Sequence, residues 1–317
     1  MERPPRSVYL RRRIVAGLVV LALAAVPAVL LARGGGGDDA GGRVAGAPEA
    51  MPSPPPRPQL PGGGRRLLPD RRVVAFYGAP QDEELGALGI GTPDQAARRL
   101  ARQARAYERP GRPVLGALEL IAVIANADAG EDGLYRTRQP RAVIGRYLRA
   151  ARRHGMLLLL DVQPGRADFL GEVVALERWL REPDVGLALD PEWRVGPGEV
   201  PGQVIGSADP AELNATSAWL AQLAVRHDLP QKLFLIHQFT DDMVDHTQLR
   251  RHPELAMVLN ADGFGTRPVK ESKYDAFSAD ARDFHHGFKL FYEEDVGLMT
   301  PRQVLRLRPA PDVVEYE

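Results

Sequence analysis

Short apolar runs alternate with longer amphipathic segments through most of the chain after residue 70. The runs have the length of β-strands, and the segments between them show the spacing of surface helices. This alternation is typical of a parallel sheet whose strands are joined by crossover helices. The eight predicted strands are Val73–Gly78, Val114–Ile124, Met156–Gln163, Val185–Glu192, Lys232–Phe239, Met257–Asp262, Phe288–Glu293 and Asp312–Tyr316.

Helix boundaries follow from capping residues and helix breakers. Thr92 and Pro93 suit the first positions of a helix, and a glycine such as Gly155 commonly follows the last turn. The segment His246–Leu255 is the weakest helical pattern. The predicted helices are Pro93–Tyr107, Arg141–His154, Phe169–Arg181, Ala211–His227, Ser278–His286 and a last one from Thr300 to Leu307, with long loops at Asn126–Gln139, Arg194–Ala208 and Gly263–Phe277.

Eight strands with intervening helices favour a closed (β/α)8 barrel of the TIM type. Residues 72–317 number 246, close to the roughly 250 of such a barrel. The alternative is a doubly wound open sheet, which usually has a glycine-rich phosphate turn after its first strand. Here Val73–Gly78 leads into Ala79 and Pro80, which do not form that turn.

Two further segments precede the barrel domain, which we assign to residues 67–317. Residues 1–33 contain five arginines before an uncharged run from Ile14 to Ala32. This predicts a signal anchor that contacts the membrane through residues 14–32, or a cleaved signal peptide, with export of the rest. Residues 34–66 contain 17 Gly or Pro among 33 positions, which predicts a disordered linker.

Composition excludes several classes of protein. The chain has no cysteine, which rules out disulfides, thiolate metal sites and a cysteine nucleophile. Its 41 basic and 41 acidic residues cancel, so a basic nucleic-acid surface is not expected. No cofactor is expected either, and the oligomeric state is left open.

Polar side chains follow nearly every predicted strand. In a barrel, the carboxyl ends of the strands meet at one rim, where active sites lie. Carboxylates, amides and aromatic rings there suit acid/base chemistry and the stacking of sugar rings. The candidate catalytic residues are Glu192, Asp190 and Glu293, and the candidate substrate-binding residues are Tyr77, Asp161, Gln163, Trp193, His237, Gln238, Asn260, Asp262 and Tyr292.

The end of the fourth strand carries the most specific pattern. Side chains alternate along a strand, so Leu187 and Leu189 are expected to face the helices and Gly186, Ala188, Asp190 and Glu192 the barrel interior. Burial beside a second carboxylate is expected to raise the pKa of Glu192, which makes it a proton donor. Asp190 is expected to stay ionised.

The segment Leu189-Asp190-Pro191-Glu192-Trp193 resembles the D-x-E motif of barrel glycoside hydrolases, of the chitinase-like or muramidase-like kind. The resemblance implies that Glu192 donates a proton and that Asp190 orients an N-acetyl group. The sequence has Ala188 where the chitinase-like pattern has another Asp, and Tyr77 where the muramidase-like pattern has an Asp. The whole chain resembles an exported actinobacterial family with no assigned activity.

A second catalytic geometry involves the seventh strand. A large clan of barrel glycosidases has an acid/base Glu on strand four and a nucleophilic Glu on strand seven. Glu192 and Glu293 resemble that pair, with Pro191 where the clan has an Asn.

Three functions follow from these patterns. The first is a glycoside hydrolase or lyase that acts on a cell-wall or extracellular polysaccharide. The second is a non-catalytic glycan-binding or cell-envelope scaffold protein. The third is a metal-dependent barrel enzyme with oxygen-rich ligands from His237, Asp161, Glu192, Asp262 and Glu293, although no metal site is assigned from the sequence.

Overall fold

A computed structural model describes residues 56–279 and 281–317. Eight parallel strands close into a barrel, because β1 pairs with both β2 and β9. A ninth strand, β3, is antiparallel to the end of β2. The strands are β1 Arg72–Gly78, β2 Val114–Ala125, β3 Arg136–Arg138, β4 Leu157–Val162, β5 Val185–Leu189, β6 Lys232–Gln238, β7 Leu255–Ala261, β8 His285–Leu290 and β9 Val313–Tyr316.

Helices of unequal length surround this barrel. The longest, α5, has 17 residues, and the shortest, α4 and α7, have four each. Short 3-10 turns lie at Glu83–Leu85, Arg105–Tyr107, Pro191–Trp193 and His246–Gln248. The α-helices are α1 Pro93–Ala104, α2 Arg141–Arg153, α3 Phe169–Ala175, α4 Glu177–Leu180, α5 Pro210–Arg226, α6 Arg267–Ala279 and α7 Pro301–Val304.

Threonine caps fix two of the helix starts. Thr92 accepts a hydrogen bond from the Gln95 amide, and the Gln95 side chain accepts one from the Thr92 amide. Thr300 and Gln303 form the same reciprocal pair at the start of α7. Each pair satisfies two backbone groups that a helix terminus otherwise leaves unpaired, and each is followed by a proline that suits the first turn.

Alternate strand residues form two separate cores. Outward positions such as Leu187 and Leu189 belong to the large apolar core under the helices. Inward positions such as Ala188 belong to a smaller core inside the barrel, together with Val73 and Leu159. The predicted directions of residues 187–189 are therefore confirmed.

The segment before β1 closes the amino end of the barrel. Leu60, Leu67 and Leu68 are buried and belong to the same interior core as the inward strand residues. The Leu67 and Leu68 amides donate to the Gln231 side chain at the start of β6. Residues 60–66, which the sequence assigns to the linker, thus pack against the barrel.

Two predicted elements near the carboxyl end of the chain are wrong. The helix predicted at Ser278–His286 lies earlier, as α6, and occupies most of the predicted loop Gly263–Phe277. The strand predicted at Phe288–Glu293 is instead β8, from His285 to Leu290. His285 and His286 have weak strand propensity, but β8 pairs with both β7 and β9, so tertiary pairing decides its position.

The predicted anchor or signal peptide at residues 1–33 lies outside the described residues, as does the linker up to residue 55. Within residues 56–279 and 281–317, none of the helices has the length and apolar character needed to cross a membrane.

Candidate active site

Every strand of the closed barrel contributes one polar side chain to its interior near the carboxyl end. Hydrophobic residues fill the positions below, so these side chains form a layer above an apolar floor. The alternation of side chains produces the layer, since each member lies two or four residues beyond an inward apolar or glycine position. Its members are Tyr77, Glu119, Asp161, Asp190, His237, Asn260, Lys289 and Glu315, with Asp190 one residue past the end of β5.

Five carboxylates and two basic groups dominate this layer and its upper edge. We call Glu119, Asp161, Asp190, His237, Asp262, Lys289 and Glu315 the mouth cluster. Each of these seven residues has at most 4% of its surface exposed to solvent. So many acids are rarely buried together without a role, because burial disfavours their charged form.

His237 is at the centre of the mouth cluster. Its Nδ1 is 3.1 Å from Asp262 Oδ2, and its Nε2 is 3.2 Å from Glu119 Oε1. Asp161 Oδ1 lies 4.0 Å from the same Nε2. Burial alone would lower the pKa of His237, but the surrounding carboxylates, Glu315 first among them, raise it well above its ordinary value. The imidazole therefore holds two protons and donates from both nitrogens.

Lys289 neutralises the other side of the mouth cluster. Its Nζ lies 3.1 Å from Asp262 Oδ2, 3.4 Å from Glu315 Oε1 and 2.8 Å from Glu317 Oε2. The ammonium also lies over the ring of Tyr77, 3.7 Å from the ring centre. Burial lowers the pKa of Lys289, but these acids raise it well above its usual range, so Lys289 is charged.

Burial raises the pKa of the other acids in the layer. Burial, and then the charge of Glu315, raise the pKa of Glu119 to about 8. Burial raises the pKa of Asp161 to about 7. Burial, reinforced by Asp161 and Glu192, raises the pKa of Asp190 well above its usual value. The layer can therefore exchange protons near neutral pH, as acid/base sites do.

Hydrogen bonds fix the orientation of Asp161 and Glu315. Tyr77 Oη donates to Asp161 Oδ2 at 3.4 Å and accepts from Gln163 Nε2 at 2.8 Å. Asn260 Nδ2 donates to Glu315 Oε2 at 2.6 Å. Amide and phenol groups thus hold two of the carboxylates in place.

The sequence predicted that Asp190 and Glu192 share one face of a strand, but in the structure they do not. β5 ends at Leu189, and Glu192 lies in the 3-10 turn Pro191–Trp193. Proline at position 191 cannot donate to a neighbouring strand, which suits a strand end. Asp190 is completely buried, whereas Glu192 is half-buried at the rim. Burial raises the pKa of Asp190 well above its usual value, contrary to the expectation that Asp190 stays ionised.

The loop after Glu192 is held close to the turn. The Gly206 amide donates to Glu192 O at 2.7 Å. A Cβ at Gly206 would lie 2.3 Å from Arg194 O and 2.6 Å from Pro191 O, so only glycine fits there. The long loop that follows β5 thus returns directly beneath Glu192 and positions it at the rim.

Seven of the twelve candidate residues lie together in the interior layer or at its edge. Gln238 is buried but outward-facing, in step with Phe234 and Ile236 on the helix side of β6. Trp193 is half-buried in the turn after β5. The seven are Tyr77, Asp161, Gln163, Asp190, His237, Asn260 and Asp262.

The two candidates after β8 are elsewhere. Glu293 is exposed, three residues past the end of β8. Tyr292 is 41% exposed, and its ring stacks on Tyr316 at 5.2 Å, in the outer core. The structure therefore does not place either of them in the mouth cluster.

Sequence reasoning missed Glu119 and Lys289, and it did not select Glu315 as a candidate. Glu119 is the only charged residue in the run Val114–Ala125, and it lies in step with the inward Leu115 and Ala117. A single charge within a buried strand, at an inward position, is the pattern that could have identified it.

The fold and the layer together define a (β/α)8-barrel protein with an acid-rich interior at the end where barrel active sites lie. A comparison with protein-family models found no match, and a comparison with curated proteins found none either.

Proposed function

We propose that the barrel is a hydrolase of the glycoside hydrolase type, which acts outside the cytoplasm on a cell-wall or other extracellular polysaccharide. Glu192 is the proton donor and Asp190 the supporting carboxyl group. The observation that carries the proposal is the position of Asp190, which is buried at the carboxyl end of β5 with Glu192 two residues further, at the rim.

Hydrolysis of a glycosidic bond needs one carboxyl group that reaches the substrate, and protonated groups near it. Glu192 gives its proton to the glycosidic oxygen as the bond between that oxygen and the anomeric carbon breaks. A water molecule adds its hydroxyl group to the anomeric carbon and returns a proton to the Glu192 carboxylate. Asp190 keeps its proton because it is buried, and it hydrogen bonds to the substrate as a neutral donor.

The charge of the mouth cluster suits this chemistry. A reaction at the anomeric carbon develops positive charge on the sugar ring. The mouth cluster holds five acidic groups against two basic ones, and those acids that are ionised stabilise such charge.

A non-catalytic glycan-binding protein is the second candidate. His237 and Lys289 pair with acids from three other strands, an arrangement that could serve only to hold the strands together. In that case, the acids would contribute to stability and not to a reaction.

The test is a screen of the full-length protein on bacterial cell-wall and chitin-type glycans, with product release measured for the wild type and for Glu192→Gln. We expect the variant to lose about 10²- to 10⁴-fold in rate, the usual contribution of a general acid. The matched control is Glu131→Gln, an exposed carboxylate on the rim loop after β2, with an unchanged rate. Equal product release by wild type and Glu192→Gln would disprove the assignment, and no release from any glycan would favour the binding protein.

A further inference from the structure

The carboxylates on the two sides of the His237 ring differ in the basic groups that neutralise their charge. On the Nδ1 side, Asp262 and Glu315 share the ammonium of Lys289. On the Nε2 side, Glu119 and Asp161 have no lysine or arginine within ion-pair distance among the described residues, His237 is the basic group nearest to them, and Lys289 acts on Asp161 from further away. A second positive charge on the Nε2 side would balance the cluster.

Carboxylate oxygens without a hydrogen-bond partner among the described residues lie on both sides of His237, and Glu315 Oε1 is one of them on the Nδ1 side. Glu119 Oε2 and Asp161 Oδ1 are buried and accept no hydrogen bond from any residue in the described ranges. Asp161 Oδ1 is also the atom that faces Nε2, at 4.0 Å. Buried polar atoms are normally bonded, so two such oxygens beside one imidazole nitrogen indicate a missing cationic partner.

The distances suit a metal ion in that place. Potential ligand atoms of Glu119, His237 and Glu315 all lie within 4.8 Å of one another. Zinc bonds of about 2.0–2.2 Å to nitrogen and oxygen leave adjacent ligand atoms roughly 3–3.5 Å apart. The separation of 3.2 Å between His237 Nε2 and Glu119 Oε1 falls in this range.

The hydrogen bond at the second nitrogen of His237 matches that of a metal-binding histidine. Such a histidine usually donates its second N–H to a carboxylate, which fixes the ring. Asp262 occupies this position at Nδ1, 3.1 Å away. Asp161 is oriented in turn by Tyr77, whose hydroxyl donates to its Oδ2.

We propose that Glu119, His237 and Glu315 bind one divalent cation of the zinc or manganese type, with Asp161, whose Oδ1 lies 4.0 Å from His237 Nε2, at the edge of the site. The cation replaces the proton that Nε2 otherwise shares with Glu119. Imidazole and carboxylate donors without sulfur suit zinc and manganese, and magnesium is a poorer match because it rarely takes an imidazole. This site lies below Glu192 and does not depend on the hydrolase proposal.

The experiment measures metal binding by the full-length protein without any saccharide. The chelator-treated protein is titrated with Zn²⁺, Mn²⁺ and Mg²⁺ by calorimetry, and its thermal unfolding is followed with and without each ion. We expect about one Zn²⁺ or Mn²⁺ per chain with a rise in Tm, and at least tenfold weaker binding for Glu119→Gln and for Glu315→Gln. Glu131→Gln, at the exposed rim, binds as the wild type does.

Cobalt provides a readout that needs no variant. Co²⁺ bound by the wild type through nitrogen and carboxylate ligands gains visible absorption relative to Co²⁺ in water, and Zn²⁺ abolishes it by competition. Wild type that binds neither Zn²⁺ nor Mn²⁺, or folded variants that bind as tightly as the wild type, would overturn the proposal. Because no glycan is present, these outcomes are separate from failure of the Glu192→Gln test.

Discussion

Lysine is rare in this chain, and its four lysines (Lys232, Lys270, Lys273 and Lys289) all have their Nζ bonded to backbone carbonyls or buried acids. Lys232 donates to the carbonyls of Glu182 and Val185 below the barrel floor. Lys270 donates to the carbonyls of Gly263 and Lys289. At the residue scale, lysine serves here to satisfy buried acceptors.

Lys232 yields a prediction about pH. Burial lowers its pKa to about 7 in the folded protein, whereas the unfolded value is about 10.4. Between those values the unfolded chain binds the extra proton, so the contribution of Lys232 makes stability rise with pH, by up to about 1.4 kcal/mol per pH unit. Below about pH 7 both states are protonated, and this contribution is constant.

The measurement is urea unfolding of the wild type and Lys232→Met at pH 7 and pH 9. We expect the free energy of unfolding of the wild type to increase relative to that of the variant as the pH rises. Parallel pH profiles of the two proteins would contradict the lowered pKa of Lys232 in the folded protein.

At the element scale, the short strand β3 is held by one carboxylate of α3. Glu172 is buried and accepts from Arg136 Nε at 2.8 Å and from Arg138 Nε at 2.6 Å. β3 has only three residues, so pairing with β2 alone is a weak constraint. The two arginine contacts therefore fix the rim loop that leads from β2 into β3.

Removal of that carboxylate should release β3. We expect Glu172→Gln to cost about 3 kcal/mol, because it removes a buried carboxylate that two arginines share and leaves Arg136 with only the exposed Asp132 as a charge partner. Amide hydrogen exchange should accelerate in residues 126–138. The control is Glu177→Gln, whose partner Arg181 lies on the surface one helical turn away, with an expected cost of less than about 1 kcal/mol. Equal costs for the two variants would contradict this role of Glu172.

At the scale of the whole molecule, the barrel has an apolar lower half and a charged upper half. Leu67 and Leu68 close the lower end and are 0% and 1% exposed. The upper layer carries the acids, His237 and Lys289. The burial of apolar side chains in the lower half stabilises the fold. This stabilisation offsets the unfavourable burial of charged groups in the upper half.

The closing segment should therefore be part of the folding unit. We expect Leu68→Ala to destabilise the protein by about 2–5 kcal/mol, through lost burial and the cavity left in the barrel. Val225→Ala, at a position 63% exposed on α5, should change stability by less than about 0.5 kcal/mol. Denaturant unfolding of both variants tests this, and a cost for Leu68→Ala as small as that of Val225→Ala would exclude the segment from the core.

The sequence by itself determined the barrel and the directions of its strand residues. Local patterns carried this information, since the period of two along Gly186–Leu189 depends only on neighbouring residues. The threonine caps at Thr92 and Thr300 are local as well. The same patterns misplaced the segment 278–293, where pairing with two distant strands outweighs local preference.

Only the tertiary structure decided which polar groups meet. Glu119, His237 and Glu315 are far apart in the chain, and closure of the barrel brings them within 4.8 Å of one another. Burial in that shared space shifts their pKa values, and the end of β5 at Leu189 separates the buried Asp190 from Glu192 in the turn that follows. The physical reason is that strand alternation is a property of consecutive residues, whereas charge balance depends on every group within the enclosed volume.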